Sequence, residues 1–430
     1  MLSIRGSNWG KVDFAHGKKD VYNFYTNPNG VVSFANAENW LLHDDLSDYF
    51  NQQSFDRQCC AYGEGYTGTL RLRSAMAKHL NTHFKAFTAI DAEEVTFAAG
   101  VTSLNELCAF ILCNPNESIL LVGPVYGAFY RDLTTRTSVH LEYVHVGDKD
   151  QFSPDGITAI EAEFQAAEAR GRTIKALIIC NPHNPLGRCY PRESLVGLLR
   201  LCASKGIHLI SDEIYALSVY KRYDRPSEAF ISVRSIDFTG IINPDQVHVL
   251  YGMSKDFGAG GLRLGCLISQ NDELNKATRA LCRFSSPSQF SMSLAATMLE
   301  DQEFIRGFLH KSHTLLLQNR LLAEELLREA GIGFHDKGIS GLFVWIDLSA
   351  HLPSELSQED AWAAERLLSH RLELAGVIMS TGEQYHAPEP GWFRLVFCVS
   401  EETLREGIRR ISALLKGVAW SNLNSIAKCY

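Results

Sequence analysis

Five short runs of apolar residues, with almost no polar interruption, mark the first two thirds of the chain. They cover residues 95–99, 119–122, 174–180, 207–210 and 247–250. Strands buried on both faces have continuous apolar sequences of this kind, and such strands are typical of parallel sheets. The pattern therefore predicts a mostly parallel sheet built from these five runs.

Between and after these runs, apolar residues recur at the spacing of a helix. Leu104, Leu107, Cys108 and Ile111 would share one face of a helix that opens just after a glycine turn. Further helices are predicted after Gly68 with Leu70, Ala77 and Leu80 on the apolar side, over 192–205, over 301–330 with Gly331 as the stop signal, and around Leu404, Ile408 and Ile411. The chain after Lys255 is predicted to be helical, apart from strands at 342–346 and 392–397.

This order of elements predicts an α/β fold. We expect a large domain with a mostly parallel, mixed sheet flanked by helices, plus a smaller α+β domain. Residues 1–36 are assigned to an N-terminal arm that belongs to the small domain, 37–300 to the large domain and 301–430 to the small C-terminal domain. The chain of 430 residues is long enough for this division.

Composition narrows the range of functions. The chain is 46% hydrophobic and 21% charged, with a net charge of −8 and no basic block, so nucleic acid is not an expected partner. No apolar run reaches the ~20 residues that a membrane helix needs, and the N-terminus lacks the apolar core of a signal peptide. The eleven cysteines include no CxxC pair, and the histidines do not cluster, so we expect no metal site and a cytoplasmic protein.

Polar side chains follow several of the apolar runs directly. Tyr126, Asn184, Asp212 and Lys255 all come just past the carboxyl end of a predicted strand, and open α/β sheets bind ligands along that edge. A lysine in such a position is suited to form a Schiff base with pyridoxal 5′-phosphate (PLP). A carboxylate at the mouth of an apolar strand needs a partner, and a protonated pyridine ring would supply one. A surface lysine in a loop is the alternative interpretation of Lys255 taken alone.

Two features would suit the phosphate of such a cofactor. Thr102 lies at the start of a predicted helix, where free N–H groups and the helix dipole favour an anion. Thr102 could equally serve only as the N-cap of that helix. Arg263 follows Lys255 in the same glycine-rich stretch and could pair with the phosphate.

Taken together, these motifs resemble a known family. Residues 181–187 read Asn-Pro-His-Asn-Pro-Leu-Gly, 212–215 read Asp-Glu-Ile-Tyr, and 254–258 read Ser-Lys-Asp-Phe-Gly. With Arg263 and the late Phe-Arg strand at 393–394, this order is similar to the fold-type I PLP-dependent enzymes of aminotransferase class I/II. The resemblance runs from about residue 27 to 397 and implies the PLP-dependent transferase fold.

The resemblance also implies a role for each matched residue. Lys255 would form the Schiff base and move protons, Asp212 would pair with the ring nitrogen, and Arg394 would hold the substrate carboxylate. The other implied roles are hydrogen bonds to the ring oxygen from Asn184 and Tyr215, ring stacking by Tyr126, phosphate binding by Val101, Thr102 and Arg263, and a contact from Tyr66 to the phosphate of a neighbouring subunit. The last role implies a homodimer.

Within this family, several segments are most similar to 1-aminocyclopropane-1-carboxylate (ACC) synthases. They are residues 27–30, 37–39, 66–68, 129–133, 184–187 and 254–256. Such a lyase cleaves a carbon–sulfur bond of S-adenosyl-L-methionine, closing a cyclopropane and releasing methylthioadenosine. We expect Ala37 and Glu38 to contact the substrate, with Glu38 near the sulfonium, and Lys255, Tyr126 and Glu38 to form the catalytic set.

Other functions remain open from the sequence. The same cofactor chemistry serves an aminotransferase or a γ-replacement enzyme acting on an amino acid, and a non-catalytic protein of the same fold is a third class. Three positions depart from the family pattern. Gly252 stands where a phosphate-binding serine is usual, so that this phosphate contact is either missing or made by Ser254 instead. Gly127 replaces a common proline and Tyr130 an acidic residue.

Overall fold

The fold is taken from a computed structural model that describes residues 1–11, 20–222, 224, 228–354 and 360–417. Parts of the predicted arm (12–19) and of the predicted C-terminal domain (355–359 and 418–430) lie outside the described residues. The strands are β1 Val32–Ser33, β2 Val95–Ala98, β3 Ser118–Gly123, β4 His140–His145, β5 Ile174–Cys180, β6 His208–Asp212, β7 Val247–Gly252, β8 Gly265–Ser269, β9 Gly333–Phe334, β10 Phe343–Asp347, β11 Val377–Ile378, β12 Ser380–Thr381 and β13 Trp392–Val396.

The central element is a sheet of seven strands in the order β2-β8-β7-β6-β5-β3-β4. Strands β4, β3, β5, β6 and β7 run parallel to their neighbours, whereas β8 is antiparallel to both β7 and β2. The sheet is therefore mixed and mostly parallel, and the predicted fold class is confirmed. The five apolar runs of the sequence all form strands in it.

The prediction that the chain after Lys255 is helical is wrong for residues 265–269. They form β8, which is buried along its whole length. A five-residue apolar strand between two sheet neighbours has no periodicity that separates it from a helix segment. Strand β4, at the edge of the sheet, was also not predicted.

Helices cover both faces of this sheet and extend into the C-terminal part. They are α1 Ile4–Trp9, α2 His43–Asn51, α3 Leu70–Phe84, α4 Val101–Leu112, α5 Phe129–Thr134, α6 Pro154–Ala169, α7 Arg192–Lys205, α8 Asp272–Leu281, α9 Gln289–Glu300, α10 Gln302–Ala330, α11 Ala361–Leu374 and α12 Glu401–Leu415. Helix α10 ends at Gly331, whose φ of 74° is the left-handed conformation that glycine adopts most easily. In α3, Ala77 and Leu80 are buried as predicted, but Leu70 is 51% exposed because it starts the helix at the surface.

A second sheet, in the order β12-β13-β10-β9, is formed by the C-terminal part of the chain. The arm and the C-terminal part share a separate two-stranded sheet, in which β1 pairs in parallel with β11, Val32 opposite Val377. Buried residues of the arm and of the C-terminal part form a common apolar core that includes Phe34, Phe393 and Ile408. The domain limits given above remain a prediction, and this pairing supports placing the arm with the C-terminal part.

Among the described residues, no helix is both long enough and apolar enough to cross a bilayer. In the same part of the chain, no group of three histidine, cysteine or acidic side chains is placed to hold a metal ion. The ten cysteines that the structure describes are all free.

Candidate active site

The carboxyl ends of β3, β5, β6 and β7 border a cavity of about 170 Å³. Most of the predicted site residues meet there. Its lining consists of Glu38, Val101, Thr102, Asn105, Tyr126, Asp132, Cys180, Asn184, Asp212, Ile214, Tyr215, Ser254, Lys255, Gly260 and Arg263. We call this space the inner cavity.

Lys255 stands in the turn that follows β7. Its Nζ donates a hydrogen bond of 2.8 Å to the carbonyl oxygen of Ala37. Burial and the nearby Arg394 lower the pKa of Lys255 to about 8, although Glu38 and Asp212 favour its charged form. A large fraction of this amine is therefore neutral near pH 8, which is the state that attacks an aldehyde.

Asp212 is the last residue of β6 and is 4% exposed. Its carboxylate accepts a hydrogen bond from the Ile214 N–H at 3.2 Å. Burial raises the pKa of Asp212 to about 7, and the Ile214 N–H opposes this only in part. A protonated pyridine nitrogen facing this carboxylate would stabilise the ionised form of Asp212 and keep its own proton.

At another side of the inner cavity, α4 begins at Val101. Its N-cap is Gly100, with a φ of 87° and no side-chain hydrogen bond to the first turn. The N-cap alternative for Thr102 is therefore wrong, because Thr102 lies inside the first turn. An uncapped helix start beside a cationic side chain fits a phosphate group.

Arg263 is that cationic side chain. It donates to the carbonyl oxygens of Gly260 at 3.1 Å and Ala99 at 3.2 Å. A Cβ on Gly100 would lie 2.6 Å from the Arg263 Nη2, so glycine is needed where the guanidinium approaches the backbone. The helix start and Arg263 are thus held next to each other.

The absence of a serine at position 252 has a structural reason. A Cβ on Gly252 would lie 2.6 Å from the Leu264 carbonyl oxygen and 2.9 Å from the Gly265 Cα. Any side chain there would push β8 away from β7. Ser254 lines the inner cavity, and a phosphate contact from it stays a prediction.

Arg394 lies in β13 and is 4% exposed. Its guanidinium donates to the Asn184 Oδ1 at 3.2 Å and to the Ala35 carbonyl oxygen. Its Nε finds no hydrogen-bond partner among the described residues. A buried guanidinium with an unused donor needs an anion, and a carboxylate would match its planar geometry.

Arg394 faces a second, more open cavity of about 740 Å³, here called the outer cavity. Glu38, Tyr126, Tyr215 and Lys255 line both cavities, so the two spaces lie next to each other. Ala37 lines the outer one. Burial raises the pKa of Tyr215 well above its usual value, so Tyr215 keeps its proton and can donate a hydrogen bond at the boundary.

Gly127 has a steric role in the wall of the outer cavity. A Cβ at this position would lie 2.1 Å from the Gln384 carbonyl oxygen. The Val125 N–H also donates to the Tyr385 carbonyl oxygen at 2.8 Å. Residues 384–386 therefore lie directly against the chain that follows β3, which explains why neither proline nor alanine stands at position 127.

One predicted residue is not brought to the site by this chain. Tyr66 is 39% exposed and lines neither cavity.

Conversely, Asn105 and Asp132 line the inner cavity and were not predicted as site residues. The Asn105 Nδ2 donates to the Asp132 Oδ2 at 3.0 Å, and burial raises the pKa of Asp132 to about 6. The position of Asn105, one turn after Thr102 on α4, is the sequence signal that could have identified it.

Comparison with known proteins decides the family. The profile of the family described as "Aminotransferase class I and II" matches residues 51–411. The chain belongs to the class I and II aminotransferase family. Enzymes of this family depend on PLP, and the inner cavity has groups that fit it: a lysine, a buried carboxylate and an anion-binding helix start. The predicted cofactor is thereby confirmed.

The relatives of this chain within the class I and II aminotransferase family carry different names. The chain is 32% identical over 403 residues to "Probable aminotransferase gliI" of Aspergillus fumigatus, covering 91% of both chains. It is 32% identical over 407 residues to "1-aminocyclopropane-1-carboxylate synthase-like protein 1" of Mus musculus, covering 93% of this chain and 78% of that protein. It is also 32% identical over 426 residues to "1-aminocyclopropane-1-carboxylate synthase 4" of Oryza sativa subsp. japonica, covering 94% and 85%.

Solved structures agree on the fold of this aminotransferase-family chain. Aspartate aminotransferase from Thermus thermophilus with maleate superposes with a TM-score of 0.72 at 22% identity, covering 89% of this chain and 91% of that one. The aromatic aminotransferase from Pyrococcus horikoshii OT3 gives 0.72 at 20% identity, covering 90% and 96%. At these identities the likeness concerns the fold alone.

Proposed function

We propose that this PLP-dependent enzyme is a carbon–sulfur lyase that converts S-adenosyl-L-methionine to ACC and methylthioadenosine. The observation that carries the proposal is the place of Glu38. This carboxylate lines both cavities and is close enough to Lys255 to favour the charged form of its amine. An anionic side chain there would hold a sulfonium beside the group that moves the proton.

The other residues have distinct tasks in this proposal. Arg394 binds the substrate carboxylate, using the Nε donor that has no partner among the described residues, and thereby orients Cα toward Lys255. Asp212 and Tyr215 hold the ring, and the Val101–Thr102 turn with Arg263 holds the phosphate. When bound, PLP supplies an electron sink that makes the Cα proton acidic.

The bond changes balance without a further reactant. Lys255, as the neutral amine, removes the Cα proton. The Cα electron pair forms the Cα–Cγ bond while the Cγ–S bond breaks, and its electrons neutralise the sulfonium. The products are the cyclopropane amino acid, methylthioadenosine and one proton, so no redox partner is required.

An aminotransferase is the second candidate, and a γ-replacement enzyme is a close variant of the same chemistry. The similarity to the relative named a probable aminotransferase favours it, since Lys255, Asp212 and Arg394 would serve both reactions equally. The two candidates differ in where Lys255 returns the proton and in whether the Cγ–S bond breaks. A Glu38 carboxylate that holds a sulfonium would assist only the lyase and the replacement enzyme.

A homodimer is part of the proposal. Tyr66 is 39% exposed, and the Gln289 side chain contacts the carbonyl oxygen of the preceding Gly65 at 3.5 Å. Next to Gln289, Phe290 packs against Phe55 in an apolar surface patch, and these two residues are 41% and 44% exposed. A second copy of the chain on this surface would bury these side chains and could bring its own Tyr66 to the phosphate end of the inner cavity.

Product analysis tests the proposal. Purified enzyme loaded with PLP is incubated with S-adenosyl-L-methionine, and methylthioadenosine and ACC are quantified, with the Lys255→Ala variant as the control. The lyase predicts both products in equal amounts, and none from the variant. Formation of a keto acid and pyridoxamine phosphate without methylthioadenosine would instead identify an aminotransferase, and release of methylthioadenosine only with an added nucleophile would identify a replacement enzyme.

A further inference from the structure

The site includes the end of the arm and the residues just after it, a stretch that belongs to no helix or strand. Residues 35–38 follow β1 and line the outer cavity, and Glu38 also lines the inner cavity. Two backbone carbonyls of this stretch accept hydrogen bonds from site residues, Ala35 from Arg394 and Ala37 from Lys255. The position of Glu38 therefore depends on the contacts that fix the preceding residues of the arm.

A buried arginine of the C-terminal helix α12 holds that preceding part of the arm. Arg410 is 0% exposed. Its Nη1 donates to the Gly30 carbonyl oxygen at 2.7 Å and to that of Gly376 at 3.2 Å, and its Nη2 donates to that of Pro28 at 2.9 Å. Its Nε is paired with Glu406 at 2.6 Å, so its charge is compensated within α12.

One helical turn before Arg410, at Gly407, the arm packs directly against α12. A Cβ on Gly407 would lie 2.2 Å from the Phe34 Cζ and 2.9 Å from the Val32 Cγ1. Phe34 is fully buried, its N–H donates to the Ile378 carbonyl oxygen at 2.8 Å, and its carbonyl oxygen accepts from the Val396 N–H at 3.1 Å. The helix, the arm and the strand that carries Arg394 thus form one packed unit.

We propose that Arg410 is a positioning residue for the active site, which together with the bare backbone of Gly407 sets the place of Glu38 relative to Lys255 through the arm. Neither residue lines a cavity. The guanidinium joins three backbone carbonyls from two chain segments, a task for which a lysine has no matching geometry. A shift of about 1 Å in a positioned group is enough to lower a rate by orders of magnitude. The inference rests on the proposed function only because that proposal gives Glu38 a role beside the substrate sulfonium.

The test measures how strongly Glu38 acts on Lys255 in the enzyme without its cofactor. The pH dependence of Lys255 acylation, read by peptide mass spectrometry, gives its apparent pKa, which responds to Arg394, Glu38, Asp212 and Arg263. Glu38→Gln removes a charge that favours the ammonium and lowers this pKa. We compare the size of that drop in otherwise wild-type protein and in Arg410→Lys and Gly407→Ala backgrounds, each studied well below its own thermal midpoint.

We expect the decrease in the Lys255 pKa caused by Glu38→Gln to be at most half as large in the Arg410→Lys and Gly407→Ala backgrounds as in otherwise wild-type protein. Arg405→Lys is the matched control, because Arg405 is an exposed arginine of α12 that pairs only along the helix with Glu401, and there the drop should be unchanged. In the loaded enzyme, Arg410→Lys should reduce kcat about tenfold when Glu38 is present and less than twofold in the Glu38→Gln variant.

An undiminished drop in both backgrounds overturns the inference, as does loss of the whole fold in both variants, because the contact would then serve stability alone. Since the titration of Lys255 uses neither cofactor nor substrate, its outcome is separate from that of the product analysis. Missing methylthioadenosine would remove the proposed reaction and leave the positioning of Glu38 standing.

Discussion

The proposed pairing of Asp212 with a bound cofactor implies that its buried carboxylate destabilises the cofactor-free protein, and this leads to a quantitative prediction. Burial raises its pKa from the ordinary 3.8 to about 7 in the cofactor-free protein. A carboxyl group whose pKa is raised on folding favours the folded state below pH 3.8, and this contribution is lost as the pH rises through 7. A change of this size corresponds to up to about 4 kcal/mol of destabilisation at pH 8.

Asp212→Asn keeps the shape of the side chain and removes the charge. We therefore expect the cofactor-free variant to be more stable than wild type at pH 8, by up to about 4 kcal/mol or about 5 °C in thermal midpoint. The advantage should decline steadily below pH 7 and nearly vanish at pH 4. Turnover of the loaded variant should fall by roughly a hundredfold, because the ring nitrogen loses its anionic partner.

The assay is thermal unfolding of both cofactor-free proteins, followed by circular dichroism between pH 4 and 8. Asp245→Asn serves as the control, because it makes the same chemical change just before the amino end of β7, whereas the site lies at the carboxyl end of that strand. A cofactor-free Asp212→Asn protein that is less stable than wild type at pH 8, or an advantage that does not depend on pH, would refute the reasoning. The first result would mean that the carboxylate already has a cationic partner in the free protein, and the second that the gain does not come from the ionisation of Asp212.

Three further predictions concern the inner and outer cavities. At pH 7.5, the cofactor-free enzyme should be acylated at Lys255 about 200-fold faster than at an ordinary lysine, because a pKa of about 8 leaves far more neutral amine; equal rates, seen by mass spectrometry, would contradict this. Glu38→Gln should reduce lyase turnover at least tenfold and leave PLP affinity within about twofold, and wild-type turnover would remove Glu38 from the mechanism. Gly127→Ala should displace residues 384–386, costing about 2 kcal/mol of stability and raising KM several-fold in steady-state assays; an unaltered KM would exclude this wall from substrate binding.

Much of the fold could be predicted because its core strands are short, apolar and followed at once by polar side chains. Asp212 and Lys255 are each expensive to bury, and this cost makes them conspicuous at the end of an apolar run. Helix α10 was predictable for a different reason, since its long apolar stripe ends at a glycine in the left-handed conformation.

What the sequence did not reveal depends on contacts between distant parts of the chain. Strand β8 has no periodicity of its own and is recognisable only beside β7. Tyr385 comes to the outer cavity because Gly127 lets its segment approach, and nothing near either residue in the sequence records the other. Gly252 looked like a lost phosphate contact, and the close approach of Gly265 explains it.

The central claim is that the inner cavity binds PLP through Lys255. Reducing the loaded enzyme with sodium borohydride fixes the cofactor to its lysine, and peptide mapping then locates the label. The account predicts one labelled peptide, carrying the modification at Lys255, and no label in Lys255→Ala. A label on any other lysine of the wild-type enzyme would contradict it.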